Sequence, residues 1–515
     1  MPRIAIRDIG RFGILPDPPP QELPPEAWSS GNNVVFRDNY AKLAAGDDTV
    51  ATSCPVQPYK LFPVLTSTGV PRWVLCGLAK IYVMDNSTTP TYTNIVRAAG
   101  GDYTGTAANL WNGGWLNGIM IFNNGVDVPQ LWNPAGSTAA LLTNLTNWPS
   151  GWTAKVIRPF RNFLVALDVT KSSTRYPTLV SWSHPADPGS APSSWDTSDA
   201  TKLTGDFPLS QTPGHLVDCL ALRDVNVVYK TDAIILQQYV GGQDVFAWRD
   251  VSLGTGLAAQ DCVVEFKPGY HVLLTSDRDV VVCNGLTLES VLDGRLRREF
   301  GYYTSGMKHK LFHYPAQSEV WVCRGYDANS LREAWIWNYK DNVWGKRYLQ
   351  DMVDIALGKF WLNSSGAVND RLLSIRASST SLYTLTMDTS LDFSPPEEAY
   401  LQRNGLALIG QARDGSPRVD YTKHKVVTEI WPMMEAAEGT EFTISIEGVD
   451  SALDLNSDMS GPNVQSFTYT HGTDQKVDCL VEGKFINIKF ACGTDQTSWR
   501  LHGYSLEMNV VGEYV

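Results

Sequence analysis

Asp277 and Asp279 are the closest this sequence comes to the paired carboxylates of a glycosidase, which need two acids flanking the scissile bond. They lie in Ser276-Asp277-Arg278-Asp279, between two apolar runs, where aspartate is favoured for turn chemistry. The sialidase-type Asp-box, S-x-D-x-G-x-T-W, does not occur; this near match lacks its Gly and Trp. His309 and His313 stand four apart, a spacing that holds a metal on a helix. Here the segment is strand-like and Lys308 and Lys310 flank His309, so it reads as a solvated basic face. The run Asp454-Leu455-Asn456-Ser457-Asp458-Met459-Ser460-Gly461 spaces its oxygen donors like a calcium loop. Its Gly is displaced and Gln465 stands where the closing Glu belongs, so a polar loop is expected. No G-x-S-x-G, H-E-x-x-H, P-loop or G-x-G-x-x-G motif is present. Asn86-Ser87-Thr88 matches a glycosylation sequon, which has meaning only on a secretory route. These readings predict no catalytic residue, no cofactor and no metal, and so a protein that is not an enzyme.

The totals narrow the class further. The chain has 515 residues, 43% of them hydrophobic and only 19% charged, with 42 Gly and 29 Pro. That balance fits many short strands joined by turns, not a helical bundle or a disordered chain. The net charge of −12 argues against gripping nucleic acid through its phosphates, although an acidic wall lets a polyanion pass without sticking. No apolar run is long enough to span a membrane, and the opening Met1-Pro2-Arg3-Ile4-Ala5-Ile6 lacks the apolar stretch of a secretory signal. None of the eight cysteines forms a CxxC pair. Most sit in apolar runs such as Val281-Val282-Cys283, which predicts buried free thiols and folding in a reducing cytoplasm.

The elements that must carry these residues repeat. From about residue 60 a unit of apolar strand, polar turn and second apolar strand recurs. Its first strands begin near 73, 119, 163, 225, 271, 320 and 372, a mean spacing of about 50, the length of a propeller blade. The predicted fold is all-β: a propeller of about seven blades over 60–395, with six and eight left open. Each hairpin is expected to form the inner half of a blade. Trp132, Trp337 and Trp344 are expected to pack between blades. Ser394-Pro395-Pro396-Glu397-Glu398 marks a boundary, after which Phe442-Thr443-Ile444-Ser445-Ile446 and Lys484-Phe485-Ile486-Asn487-Ile488 alternate with period two. That pattern predicts a β-sandwich over 396–515, completed by strands within 31–59. The Pro-rich residues 1–30 read as an extended arm lying over another surface.

Four segments carry a family resemblance. Gly31-Asn32-Asn33-Val34-Val35-Phe36-Arg37-Asp38 is similar to an opening turn in which Gly is common where Asn39 stands here. Val180-Ser181-Trp182-Ser183 through Asp206-Phe207-Pro208-Leu209, with Leu222-Arg223-Asp224 to Gly241-Gly242, forms a second. Arg332 to Trp344 is a third, and Gly483 to Phe490 with Trp499 to Tyr504 a fourth. In this order they resemble the tail nozzle, or tail stabilisation, proteins of podovirus-type bacteriophages. The resemblance implies a virion protein assembled in the bacterial cytoplasm, with six copies in a homohexameric ring below the head-to-tail adaptor. It implies contacts with adaptor and with tail fibre or spike proteins, a channel for transient passage of double-stranded DNA, and no membrane insertion. Within such a ring, Arg295, Arg297, Arg298 and Glu299 read as a salt-bridge patch between subunits, or else as a solvated loop. The rival classes are a propeller glycan hydrolase and a receptor-binding tail propeller.

Overall fold

The computed structural model describes residues 3–44, 46–66, 68–87, 89–98, 100–135, 137–242, 244–301, 306–361, 368–386, 398–411, 417–455, 458–493 and 498–511. The boundary expected at Ser394–Glu397 lies outside them. Strands dominate, and the described helical segments are single short turns such as Arg297–Gly301.

Five four-stranded antiparallel sheets follow one another along the chain, and a larger sheet supplies two further four-stranded units after them, the arrangement of a seven-bladed β-propeller. Blade 1 is Lys60–Leu65, Pro71–Cys76, Ile81–Asp85 and Tyr92–Asn94. Blade 2 is Asn112–Leu116, Ile119–Asn123, Gln130–Trp132 and Thr143–Asn144. Blade 3 is Trp152–Phe160, Phe163–Lys171, Thr174–Trp182 and Gly205–Pro208. Blade 4 runs from Leu216–Leu222 to Val245–Leu253, and blade 5 from Val263–Lys267 to Leu288–Ser290. Blade 6 opens with His309–Tyr314, Glu319–Arg324 and Leu331–Asn338. Its fourth strand is the first half of Val343–Trp361, whose second half is the first strand of blade 7. The chain turns between the two at Asp351, which has a φ of 45°. Val368–Arg376 and Leu382–Thr386 continue blade 7, and Gly46–Ala51, from the other end of the sequence, pairs onto it as the fourth strand.

The first strands of neighbouring blades pack side by side around the axis, and blade 7 meets blade 1 there. All seven predicted hairpins exist, but they are the second and third strands of their blades, not the inner half. The reason is burial: central strands are covered on both faces and read as continuous apolar runs, as in Trp73-Val74-Leu75-Cys76, all buried. The innermost strands face the axis on one side, which breaks their apolar pattern. Separate apolar cores glue adjacent blades. Val74, Val83, Met120 and Phe122 join blades 1 and 2, and Leu61, Trp73, Leu373 and Ile375 join blades 1 and 7. Trp132 is buried in the first of these cores, and Trp337 stacks on Trp344. The cysteines are free; seven are buried and Cys479 is half-buried.

The second body is a two-sheet sandwich. One sheet runs Ser30–Asn32, Glu398–Leu406, Phe485–Gly493, Glu441–Val449 and Gln465–Thr470. The other contains Arg3–Arg7, Arg500–Val511, His424–Glu435 and Val477–Gly483. Between them lie Ile4, Ile6, Leu401, Ile430, Ile444, Ile488 and Leu506. A hairpin, Val34–Arg37 and Tyr40–Leu43, turns at Asp38 and Asn39, with φ of 45° and 67°. A two-residue loop with both φ positive favours Asn or Gly, so Asn39 serves where Gly is common. This hairpin bridges the fourth strand of blade 6 to Arg500–Val511, making one continuous sheet across both bodies.

Residues 31–59 therefore divide: their early strands join the sandwich, whereas Gly46–Ala51 closes the propeller. The surface under the Pro-rich residues belongs to the same chain. Arg3–Arg7 is a sandwich strand, Trp28 packs against Phe490 and Tyr504, and the buried Arg403 guanidinium donates to the carbonyls of Pro20 and Leu23.

Candidate functional site

The first strands bring charges to the propeller axis. Lys60 of blade 1 pairs with Asp261, which immediately precedes blade 5. Arg158 of blade 3 grips Asp218 of blade 4 with two bonds of 2.8 Å and reaches Asp261 at 3.4 Å. Lys310 of blade 6 pairs with Asp354 of blade 7, whose other oxygen accepts the Leu61 amide at 2.8 Å. Blade 2 contributes the Gly113 carbonyl, which accepts from Arg158 at 3.2 Å. Every blade thus supplies a group to one network of three cations and three carboxylates. Burial works against the charges of Lys60, Arg158 and Asp261, and their partners outweigh it. Asp218 and then Asp261 raise the proton affinity of Arg158 despite its burial. Lys60, Lys310 and Arg158 hold the Asp261 carboxyl well below its ordinary range despite the same cost.

This network plugs the axis between two cavities. One, of about 410 Å³, lies further along the first strands beside Trp115, Arg158, Asp218 and Lys310. The other, of about 520 Å³, opens where the first strands begin and is lined by Lys155, Asp168, Arg175, His215 and Gln260. Arg175 is clamped by the buried Asp168 through bonds of 2.7 and 2.6 Å. Asp168 sits at a bulge in the long hairpin of blade 3 with a φ of 52°. Burial lowers the proton affinity of His215, and Lys155 adds to the effect. The imidazole is therefore the neutral form at neutral pH.

Of the residues singled out from the sequence, Lys310 joins the axial network, and the others lie elsewhere. Asp279 accepts from Ser290 at 2.8 Å and pairs with Arg297, while its backbone closes a turn with Thr275. Asp277 lies 4.0 Å from the same guanidinium. The expected solvated basic face at 308–313 is not one. Lys310 is buried in the axial network, and burial pushes Lys308 down to about 8 and His309 to about 4. Lys310 lies on the first strand of blade 6, which faces the axis, so its charge meets Asp354 of blade 7 instead of water. His309 and His313 lie four residues apart on one extended strand, roughly 13 Å at about 3.3 Å per residue, too far to share a metal ion, and His313 sits against the Tyr339 hydroxyl at 3.1 Å. Within the calcium-like run, Asn456 and Ser457 lie outside the described residues, and Asp458 accepts from Ser460. Thr88 of the sequon also lies outside them.

Arg295, Arg297, Arg298 and Glu299 surround the short helix and engage their own chain. Arg295 donates to the Asn342 carbonyl, and the Arg298 amide to Asp17 at 3.1 Å. Glu299 faces Arg324 at 3.6 Å. Of these, Arg298 and the Arg295 carbonyl, which accepts from the Asp17 amide, pin the Pro-rich segment to the propeller. The axial charges escaped the sequence reading because they occur singly in the polar stretches between apolar hairpins. A lone charge in a short strand-like stretch, recurring ahead of successive hairpins, is the signal that points to them.

Among the described residues no helix is long and apolar enough to cross a membrane. No family model matches the chain, and no curated protein matches it. Among solved structures it is similar to the WD40 β-propeller domain of Doa1, at 9% identity over 66% of this chain and 97% of that one, with a TM-score of 0.39. It is similar to the β-propeller domain of Swd1 from Myceliophteria thermophila, at 7% identity over 66% and 99%, TM-score 0.41. It is also similar to a streptogramin B lyase, at 11% identity over 66% and 97%, TM-score 0.40. At such scores these likenesses add nothing to the strand pairing, on which the propeller assignment rests.

Proposed function

We propose that this chain is a wall subunit of a short bacteriophage tail, one of six in a ring below the head-to-tail adaptor. The observation that carries this reading is the stitching of propeller and sandwich into one body by a shared sheet, a rigid building block with two distinct faces to offer its neighbours. Closed rings need such heterologous faces. The ordered resemblance of four segments from residue 31 onward supports it, as does the composition. The ion network stoppers the propeller's own axis, so the DNA conduit in this reading runs between subunits. Its partners are then other copies of the chain, the adaptor, and fibre or spike proteins, with DNA passing without specific contacts.

Electron microscopy of the purified full chain tests this, together with mass spectrometry of purified virions. Six-fold rings and a stoichiometric virion protein are expected. A monomer at tens of micromolar that is absent from virions refutes the proposal.

A further inference from the structure

We propose that the cavity where the first strands of blades 3, 4 and 5 begin is a binding site for a small hydroxylated anion, a sugar acid or a sugar phosphate. The proposal concerns one propeller alone and stands apart from the ring reading.

Three observations converge on it. The cavity holds about 520 Å³, enough for a monosaccharide with its acidic group and some water. Its cations are built in. Arg175 is held in a fixed direction by the bidentate clamp of Asp168, while its own side chain is 57% exposed. Lys155 is exposed, and both it and Arg175 lie near enough to His215 to lower its proton affinity. With Asp168 counted, the mouth carries a net charge of about +1 in a protein whose net charge is −12, so a small anion is drawn there.

The decisive group is Gln260. It is 7% exposed, lines the same cavity, and its side-chain amide nitrogen has no hydrogen-bond partner among the described residues. A buried amide donor without a partner is costly, and native proteins keep few. A ligand oxygen would satisfy it. Thr153, Thr170 and Asn109 add hydroxyl and amide groups to the lining, which suits a body rich in hydroxyls. Asp168 acts here as a positioning residue through Arg175.

Isothermal titration of the full chain with glucuronate, glucose 6-phosphate, inorganic phosphate and glucose tests the site, alongside the variants Gln260→Leu and Lys155→Ala. Glucuronate or glucose 6-phosphate should bind at least about ten-fold more tightly than glucose, the scale of one charge-assisted hydrogen bond. The preference between them identifies the acid as carboxylate or phosphate. Gln260→Leu should weaken binding about ten-fold while leaving the melting temperature equal or higher, because it removes an orphan donor. Lys155→Ala, at an exposed side chain, should weaken binding without change in stability. Absence of heat from all four probes overturns the proposal, and so does glucose binding as tightly as the acids. Inorganic phosphate matching glucose 6-phosphate overturns the hydroxylated class, and unaltered binding in both variants overturns the location.

Discussion

Replacing Asp261 by Asn removes one carboxylate from the axial network and leaves Lys60 without its partner. Asn is the apt replacement because residue 261 has a φ of 64°, a left-handed conformation that Asn tolerates. The side chains of Lys60 and Asp261 are 10% and 18% exposed, so water offers the stranded ammonium little relief. Breaking a buried pair from one side costs about 3–5 kcal/mol, against about 0.2–1 kcal/mol for an exposed pair. Arg158 keeps Asp218, and Lys310 keeps Asp354, which places this loss at about 3 kcal/mol, near the lower bound. Adding Lys60→Met removes the uncompensated charge, and the double variant should recover about 1–3 kcal/mol of coupling. Urea unfolding followed by tryptophan fluorescence, with the m-value checked for constancy, reads both quantities. The acid limb provides a second reading. The Asp261 carboxyl is held below its ordinary value, so its stabilisation is complete above the unfolded-state value of about 4 and is lost as pH falls through the folded one. A loss under about 1 kcal/mol for Asp261→Asn, or simple additivity in the double variant, refutes the claim that the axis is an electrostatically closed plug.

His271 is buried with Nε2 donating to the Ala221 carbonyl at 2.9 Å and Nδ1 paired with the Tyr229 hydroxyl at 2.7 Å. Burial pushes it down to about 4, so between pH 6.5 and 4 the unfolded chain takes up a proton that the native one refuses. Stability should fall by up to roughly 3 kcal/mol over that window, since each tenfold loss of proton affinity is worth about 1.4 kcal/mol. His271→Gln should flatten the slope measured by urea titrations at successive pH values. Asp47→Ala strands the fully buried Arg347 beside the closing strand and should cost about 3–5 kcal/mol. Amide hydrogen exchange should then show Gly46–Ala51 and Leu382–Thr386 losing protection before the other blades do.

How much of this was legible in advance follows from burial. Hairpins such as Val225–Lys230 with Ala233–Gly241 are apolar on both faces, and so announced both strand and spacing. The innermost strands are half apolar and half axial, and Lys60, Asp218 and Asp354 broke the pattern that finds strands. The charges of the axis come from segments 44 residues apart, as with Lys310 and Asp354, to 201 residues apart, as with Lys60 and Asp261, and no local spacing encodes such meetings. The mouth cavity was hidden for the same reason: Lys155 and Arg175 lie on different strands of blade 3, while His215 and Gln260 lie on the approaches to blades 4 and 5. The sandwich was readable from alternation in Phe442 to Ile446 and Phe485 to Ile488. Arg3–Arg7 was obscured as a sandwich strand by the Pro-rich stretch that follows it.

The strand Gly46–Ala51 is synthesised before any blade exists, yet its partner Leu382–Thr386 emerges only after all the others. Arg3–Arg7 waits longer still, for Arg500–Val511. On the ribosome these early segments must stay unpaired while more than three hundred residues are added, and the circle cannot latch until Leu382–Thr386 has emerged. Pairings so distant in sequence make the final step slow and leave strand edges open to mispairing in the meantime.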